Sequence, residues 1–253
     1  MICSIQKKLL LACLLAAGFF PLLPSAAGAQ QTGADTVILQ SSLSAALHLY
    51  FSRASDQLGI FNGSLYPGYP FPFKKGSAFF SANRMDTGWV CYDGIVYERM
   101  PLKYDNLSGV VLVEDNGYMI ELNSKSIGAF SIAGHLFIRL EKNDSSNKDV
   151  ITGFYEVLFS GSHIRLLKRI AKTVVDDLSG GELVEKLIQQ EDFYYLCKAG
   201  TCFLVEGRGG IGDILSDRKT EVRQFMRKNK VKFREEKENT LSELAAYYEQ
   251  ISK

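Results

Sequence analysis

From residue 88 onward apolar and polar positions alternate with a period of two, and each alternating run ends at a pair of turn-forming residues. The stretch "GWVCYDGIVYERMPL" turns at Asp93-Gly94 and "GVVLVEDNGYMIEL" turns at Asn116-Gly117. Both pairs suit the type I′ turn, in which each central residue takes positive φ. Further on, "AFSIAGHLFIRL" turns near Ala133-Gly134, "TGFYEVLFSGSHIRLLKRI" turns through Ser160-Gly161-Ser162, and "YYLCKAGTCFLVE" turns at Ala199-Gly200. Short strands with turn chemistry between them predict an antiparallel meander of about ten strands over residues 88–206. The fold class is therefore mainly β, of the α+β kind. A sheet of this size curls into a barrel or half-barrel or folds into a sandwich, and the pattern alone leaves these open.

The period changes at both ends. In "SSLSAALHLYFSRA", Leu43, Ala46, Leu47, Tyr50 and Ala54 recur at helical spacing behind serines suited to capping, with His48 on the other face. Next comes "IFNGSLYPGYPFPFKKGSAFF", dense in Gly, Pro and aromatics, which reads as an irregular loop. Helix and loop together occupy residues 30–87. The C-terminal part, 213–253, predicts two helices. One carries Val222, Phe225 and Met226 behind a Ser216-Asp217 cap; the other opens with the capping box Thr240-x-x-Glu243 and runs Leu241, Leu244, Ala245, Tyr248 and Ile251 along one face.

The first residues pair Lys7 and Lys8 with an apolar run from Leu9 to Leu23 and the small-residue tripeptide Ala27-Gly28-Ala29. That is the pattern of a secretory signal peptide, residues 1–29, cleaved before Gln30. A lipoprotein reading through Leu10-Leu11-Ala12-Cys13 is disfavoured, because too few apolar residues separate Lys8 from Cys13. The apolar run is also too short for a membrane span of about 20 residues. The rest, 30–253, reads as one β-rich domain, exported to the periplasm or beyond, with no transmembrane segment. The chain holds 29 basic and 28 acidic side chains. Loss of Lys7 and Lys8 leaves it near neutrality, without an overall field for nucleic acid or anionic membrane.

Export changes the meaning of cysteine. Two of the five cysteines, Cys3 and Cys13, leave with the signal, so Cys91, Cys197 and Cys202 remain in an oxidising compartment. If Ala199-Gly200 forms a two-residue loop, Cys197 faces Cys202 as a non-hydrogen-bonded pair, close enough for a disulfide. We read a cross-strand staple. A zinc site lacks its further ligands, and the spacing differs from that of a redox motif. Cys91, in an alternating run, reads as a buried thiol.

Other motifs receive plain readings. Gly207-Arg208-Gly209-Gly210-Ile211-Gly212 matches GxGxxG but follows an antiparallel hairpin, so it reads as a flexible connection rather than a dinucleotide site. Ser160, Ser162 and His163 share a turn, with Asp176-Asp177 downstream and His135 opening a strand. With neither GxSxG nor HExxH in the chain, they read as surface residues. Residues 218–234 carry eight basic side chains and one acid, Glu221. They read as the solvated face of a helix, with the acidic residues of 235–253 placed to neutralise them. No catalytic residue, metal site or cofactor is assigned. The candidate binding surface is Tyr66, Tyr69, Phe71 and Phe73, since exposed aromatics anchor partners; the competing reading tucks this loop over the sheet.

Four stretches together, "LGIFNGSLYPGY", "GWVCYDGIVYERMPLKYD", "GFYEVLFSGSHIRLLK" and "LSDRKTEVRQFMRKNKVKF", resemble a group of uncharacterised exported proteins of Bacteroidota. The resemblance implies a cell-envelope setting and brings no activity. The function expected is an envelope binding or interaction module without catalysis, its partner an unidentified envelope protein or an apolar or glycan ligand, not nucleic acid. One alternative is a periplasmic carrier holding a lipid inside a curled sheet, which requires an unfilled cavity. Another is a hydrolase assembled from distant residues.

Overall fold

The computed structural model describes residues 59–81, 84–142, 149–178, 184–228 and 236–252. The signal segment and the N-terminal helix expected around Leu43 to Ala54 lie outside the described residues. The chain divides into two compact units, Met1–Phe61 and Asn62–Lys253. Of the first unit, the described part is the single 3-10 turn Gly59–Phe61.

In the second unit the strands are β1 (Ser64–Leu65), β2 (Phe73–Lys75), β3 (Asp86–Tyr92), β4 (Ile95–Asp105), β5 (Val110–Asp115) and β6 (Tyr118–Glu121). They continue as β7 (Ile127–Ile132), β8 (His135–Leu140), β9 (Gly153–Ser160), β10 (Ile164–Asp177), β11 (Glu185–Lys198) and β12 (Thr201–Leu204). All twelve join one sheet in the order β1-β6-β5-β4-β3-β7-β8-β9-β10-β11-β12, with β2 added in parallel to β11. Two antiparallel meanders thus meet where β7 pairs with β3. The ends of this path are not paired with each other among the described residues, so the sheet stays open and does not close into a barrel.

The turn chemistry places the hairpins. Asp93-Gly94 (φ 49° and 81°), Asn116-Gly117 (48° and 82°), Ala133-Gly134 (51° and 81°) and Ala199-Gly200 (49° and 82°) all hold positive φ at both central positions, as the twist of a two-residue hairpin demands. Cys197 faces Cys202 and Lys198 faces Thr201, the register expected from the loop length. β10 and β11 are longer than their patterns indicate, pairing without a break from Ile164↔Lys198 to Asp177↔Glu185. Glu185 to Asp192 is rich in Glu and Gln, which favour strands poorly. That segment is extended because β10 offers it a complete ladder.

Three helices follow: α1 (Arg208–Ile214), α2 (Lys219–Lys228) and α3 (Lys237–Ile251). α1 replaces the flexible connection expected at Gly207 to Gly212. Ile211 and Leu215, one turn apart, are both fully buried in the core, and their packing outweighs the poor helix propensity of three glycines. Two capping expectations are also corrected. Ser216–Arg218 forms a 3-10 turn without a side-chain cap, and Asp217 instead accepts from the Tyr248 hydroxyl (2.7 Å) and Lys198 Nζ (2.5 Å). α3 begins a turn before Thr240, whose N–H bonds to the Glu236 carbonyl (3.0 Å). Thr240 is buried within the helix and caps nothing.

The helices cover one face of β10 and β11. Ile164, Leu166, Tyr194 and Leu196 meet Ile211, Val222, Leu241, Leu244, Ala245 and Tyr248 in one buried cluster. Successive strand residues point to opposite faces, so Leu167, Tyr195, Cys197 and Cys202 form a second cluster with Tyr155 and Val150 behind them. Tyr104, Phe130, Phe137 and Phe154 pack mutually, with ring centroids 4.8 to 5.8 Å apart. No helix among the described residues is long and apolar enough to cross a membrane.

Candidate interaction surface

Asp105, the last residue of β4, is completely buried. A buried carboxylate is tolerated only when its oxygens are satisfied. Its Oδ1 accepts the N–H groups of Leu107 (2.9 Å) and Ser108 (3.1 Å), an Asx-type turn. Its Oδ2 accepts two phenols, Tyr66 and Tyr69, both at 2.7 Å. Burial, and then the bond to Asp105, push the Tyr69 phenol up to about 12 and raise Tyr66 likewise. Both hydroxyls therefore stay protonated and act as donors; neither is poised as a base or nucleophile.

The loop they belong to is a strap across the sheet. It leaves the edge where Tyr66 N–H bonds the Met119 carbonyl (2.8 Å). β2 then pairs Phe73 with Lys186 and Lys75 with Leu187 of β11. Lys74 meets Glu185 and Asp177. Gly76 (φ 88°) passes so close to Ile188 that a Cβ would stand 2.8 Å from that residue's own Cβ, a place only glycine fills. Lys172 on β10 donates to the carbonyls of Ser77 (2.9 Å) and Phe79 (2.6 Å), and burial lowers its pKa while Asp105 and Asp192 oppose that. Phe79 bridges Asp105, and Phe80 seats its ring against His135 (5.0 Å) and Phe137 (4.9 Å). The strap thereby ties β4 to β10, two strands that β3, β7, β8 and β9 separate in the sheet.

The four candidate rings are brought together. Tyr66 meets Tyr69 (6.5 Å), Tyr69 meets Phe71 (6.4 Å) and Phe73 (5.1 Å), and Phe71 meets Phe73 (5.5 Å). Three of these contacts are edge-to-face, at 80°, 65° and 88°. All four rings are half-buried, while Pro67, Pro70 and Pro72 between them are exposed. At the strap's start Leu65 and Tyr118 are each 62% exposed. Half-burial of the rings accords with a loop laid on the sheet, and the exposed prolines between them leave part of that loop in solvent.

Other residues singled out by the sequence stand apart from the strap. Cys197 and Cys202 lie at disulfide distance (S–S 2.03 Å, Cα–Cα 3.9 Å), and Cys91 is buried in β3. His135 Nδ1 lies 2.5 Å from Glu156, a buried carboxylate on β9, and His163 Nδ1 lies 3.1 Å from Glu249 on α3. Both histidines are exposed, as expected, and each also faces an acid; among the described residues no hydroxyl or thiol bonds either ring. Ser162 and His163 are held by their N–H groups to the Glu249 carboxylate, both at 2.9 Å. Asp176 pairs with Lys186 (2.5 Å). His48 lies outside the described residues. Sequence reasoning missed Asp105, Lys172, Glu156 and Glu249. Asp105-Asn106 did carry a turn signal before Gly109, but nothing local named its tyrosine partners.

The chain matches no family model, no curated protein and no solved structure.

Proposed function

We propose that the protein is exported after loss of residues 1–29 and serves in the cell envelope as an interaction module whose recognition surface is the strap. One observation carries this reading: two tyrosines fixed by a buried carboxylate pack with Phe71 and Phe73 into a half-buried aromatic cluster that alternates with exposed prolines. A surface ordered before binding loses little conformational entropy on association. Edge-to-face rings offer a ridged apolar relief, where a sugar platform would offer flat parallel faces, so the chemistry favours a protein partner over a glycan. Against the carrier alternative, the rings of Tyr104, Phe130, Phe137 and Phe154 occupy each other where an apolar ligand would need room.

Native mass spectrometry of the protein released from its own cells tests this. The expected result is a heteromer that the Phe71→Ala/Phe73→Ala variant loses and the Glu114→Gln variant, exposed on β5, keeps. A bare monomer from the unaltered protein, or a lipid-sized adduct instead of a protein, would overturn the reading. The denatured mass tests export: a chain starting at Gln30 supports it and one starting at Met1 refutes it.

A further inference from the structure

The residues of α2 separate into two faces. Val222 is fully buried, and Phe225 and Met226 pack against the same core. Phe225 also stacks on Tyr247 of α3 at 4.6 Å and 16°. On the other side Lys219, Arg223 and Arg227, spaced four apart, form one ridge. Arg218 and Lys228 flank it, and Arg223, Arg227 and Lys228 are exposed. Basic residues in the last turn favour a helix through its dipole, which accounts for Arg227 and Lys228 but not for Arg218 to Arg223.

Of the acids of 235–253 expected to neutralise this segment, Glu238 binds Lys168 (2.7 Å) and Glu249 holds the β9–β10 turn, and among the described residues neither Glu236 nor Glu243 forms an ion pair with it. Asp217, in the 3-10 turn before α2, takes Lys198 and Tyr248. That leaves Asp213, 2.9 Å from Lys219, and Glu221, 3.6 Å from Arg218. Among the described residues Arg227 and Lys228 meet no carboxylate. Four cations on α2 and Arg218 in the turn before it, against Glu221 on the helix and Asp213 in α1, give a local positive surface on a chain that is nearly neutral overall.

We propose that this ridge docks on an anionic lipid surface through the phosphates of its headgroups. A convex helix face bears on a plane of charge along its whole length. It carries no aromatic side chain on its exposed side to stack on bases, and it forms no groove to follow a nucleic-acid backbone. The ridge is independent of the strap, so the two readings stand or fall separately.

Co-sedimentation of the purified chain with vesicles tests it, using phosphatidylcholine alone or with about 30 mol% phosphatidylglycerol in low salt. The expected result is binding to the anionic vesicles only, abolished by raised salt. The Arg223→Gln/Arg227→Gln/Lys228→Gln variant, which leaves the buried face intact, should bind about tenfold to a hundredfold more weakly. Lys125→Gln/Lys142→Gln, exposed lysines outside both the ridge and the strap, should bind as the unaltered protein does. Equal binding to neutral vesicles, full binding by the triple variant, or no binding at all would overturn the proposal. Heparin competing as well as vesicles of equal charge would overturn the assignment to lipid.

Discussion

Tyr69 and Asp105 lie 36 positions apart in the sequence, and a 2.7 Å hydrogen bond joins them. Through that bond a proline-rich loop without a local fold of its own acquires a defined place on the sheet. Tyr66 shares the same acceptor oxygen, so a single carboxylate sets the entry of the strap.

Replacing that carboxylate should loosen the strap while leaving the sheet. Asp105→Asn presents an amide to donors that need an acceptor, at a cost of about 3 kcal/mol. Tyr69→Phe deletes one partner at the rim and should cost about 1 kcal/mol. Urea midpoints give both values. Trypsin cleavage at Lys74 and Lys75 should accelerate in Asp105→Asn well before global unfolding; unchanged cleavage would show that the strap is held some other way.

Glu249 gives the fold an acid-sensitive joint. Two backbone N–H groups, with that of His163 foremost, and the His163 ring lower its carboxyl from an ordinary 4.5 to about 2. A depressed folded value means the contribution is complete above about 4.5 and is lost as pH falls through about 2. The stability difference between the unaltered protein and Glu249→Gln should therefore be level from neutral pH to about 5 and shrink steadily below it. Parallel curves down to pH 2 would refute the clamp.

The same clamp explains a demand on Gly161. A Cβ at this position would run into the Glu249 carboxylate, the end of a side chain rather than fixed backbone, so the carboxylate must leave its bonds to make room. Gly161→Ala should thus act by dislodging Glu249. The double variant with Glu249→Gln should cost no more than the costlier single one, and additive losses would point to backbone strain at the turn instead.

The disulfide closes a short loop, Cys197 to Cys202, at the edge hairpin. A loop this small gives about 2 kcal/mol by constraint of the unfolded chain. Cys197→Ala/Cys202→Ala should lower stability by that amount plus the packing lost beside Tyr155 and Tyr195. Reductant should have no further effect on the variant.

How much of this was legible follows from the range of each interaction. Asp93-Gly94, Asn116-Gly117 and Ala199-Gly200 announce their hairpins because positive φ is a local requirement, and the register of Cys197 on Cys202 follows from it. The helical stripe of Leu241, Leu244, Ala245 and Tyr248 is equally local. What escaped was settled by distant partners. Glu185 to Asp192 becomes strand because β10 lies beside it. Arg208 to Gly212 becomes helix because Ile211 finds a core. For the strap, composition named the four rings but neither Asp105 nor Lys172, since a buried charge shows no pattern in one dimension.

Lys172 offers the sharpest test of that last point. Its ammonium is one end of the strap's attachment and Asp105 is the other, on strands that are not neighbours. Lys172→Met keeps the apolar stem but orphans the carbonyls of Ser77 and Phe79, at a cost of about 2 kcal/mol. If the strap moves as one unit, whichever end is cut first releases it. The loss from Lys172→Met in the Asp105→Asn background should then fall well below its loss alone. The cycle is read by chemical denaturation, and a coupling of about 1 kcal/mol or more is expected. Full additivity would mean that the two ends hold independent segments and that the aromatic row between them is not held rigid, which would also weaken its claim as a recognition surface.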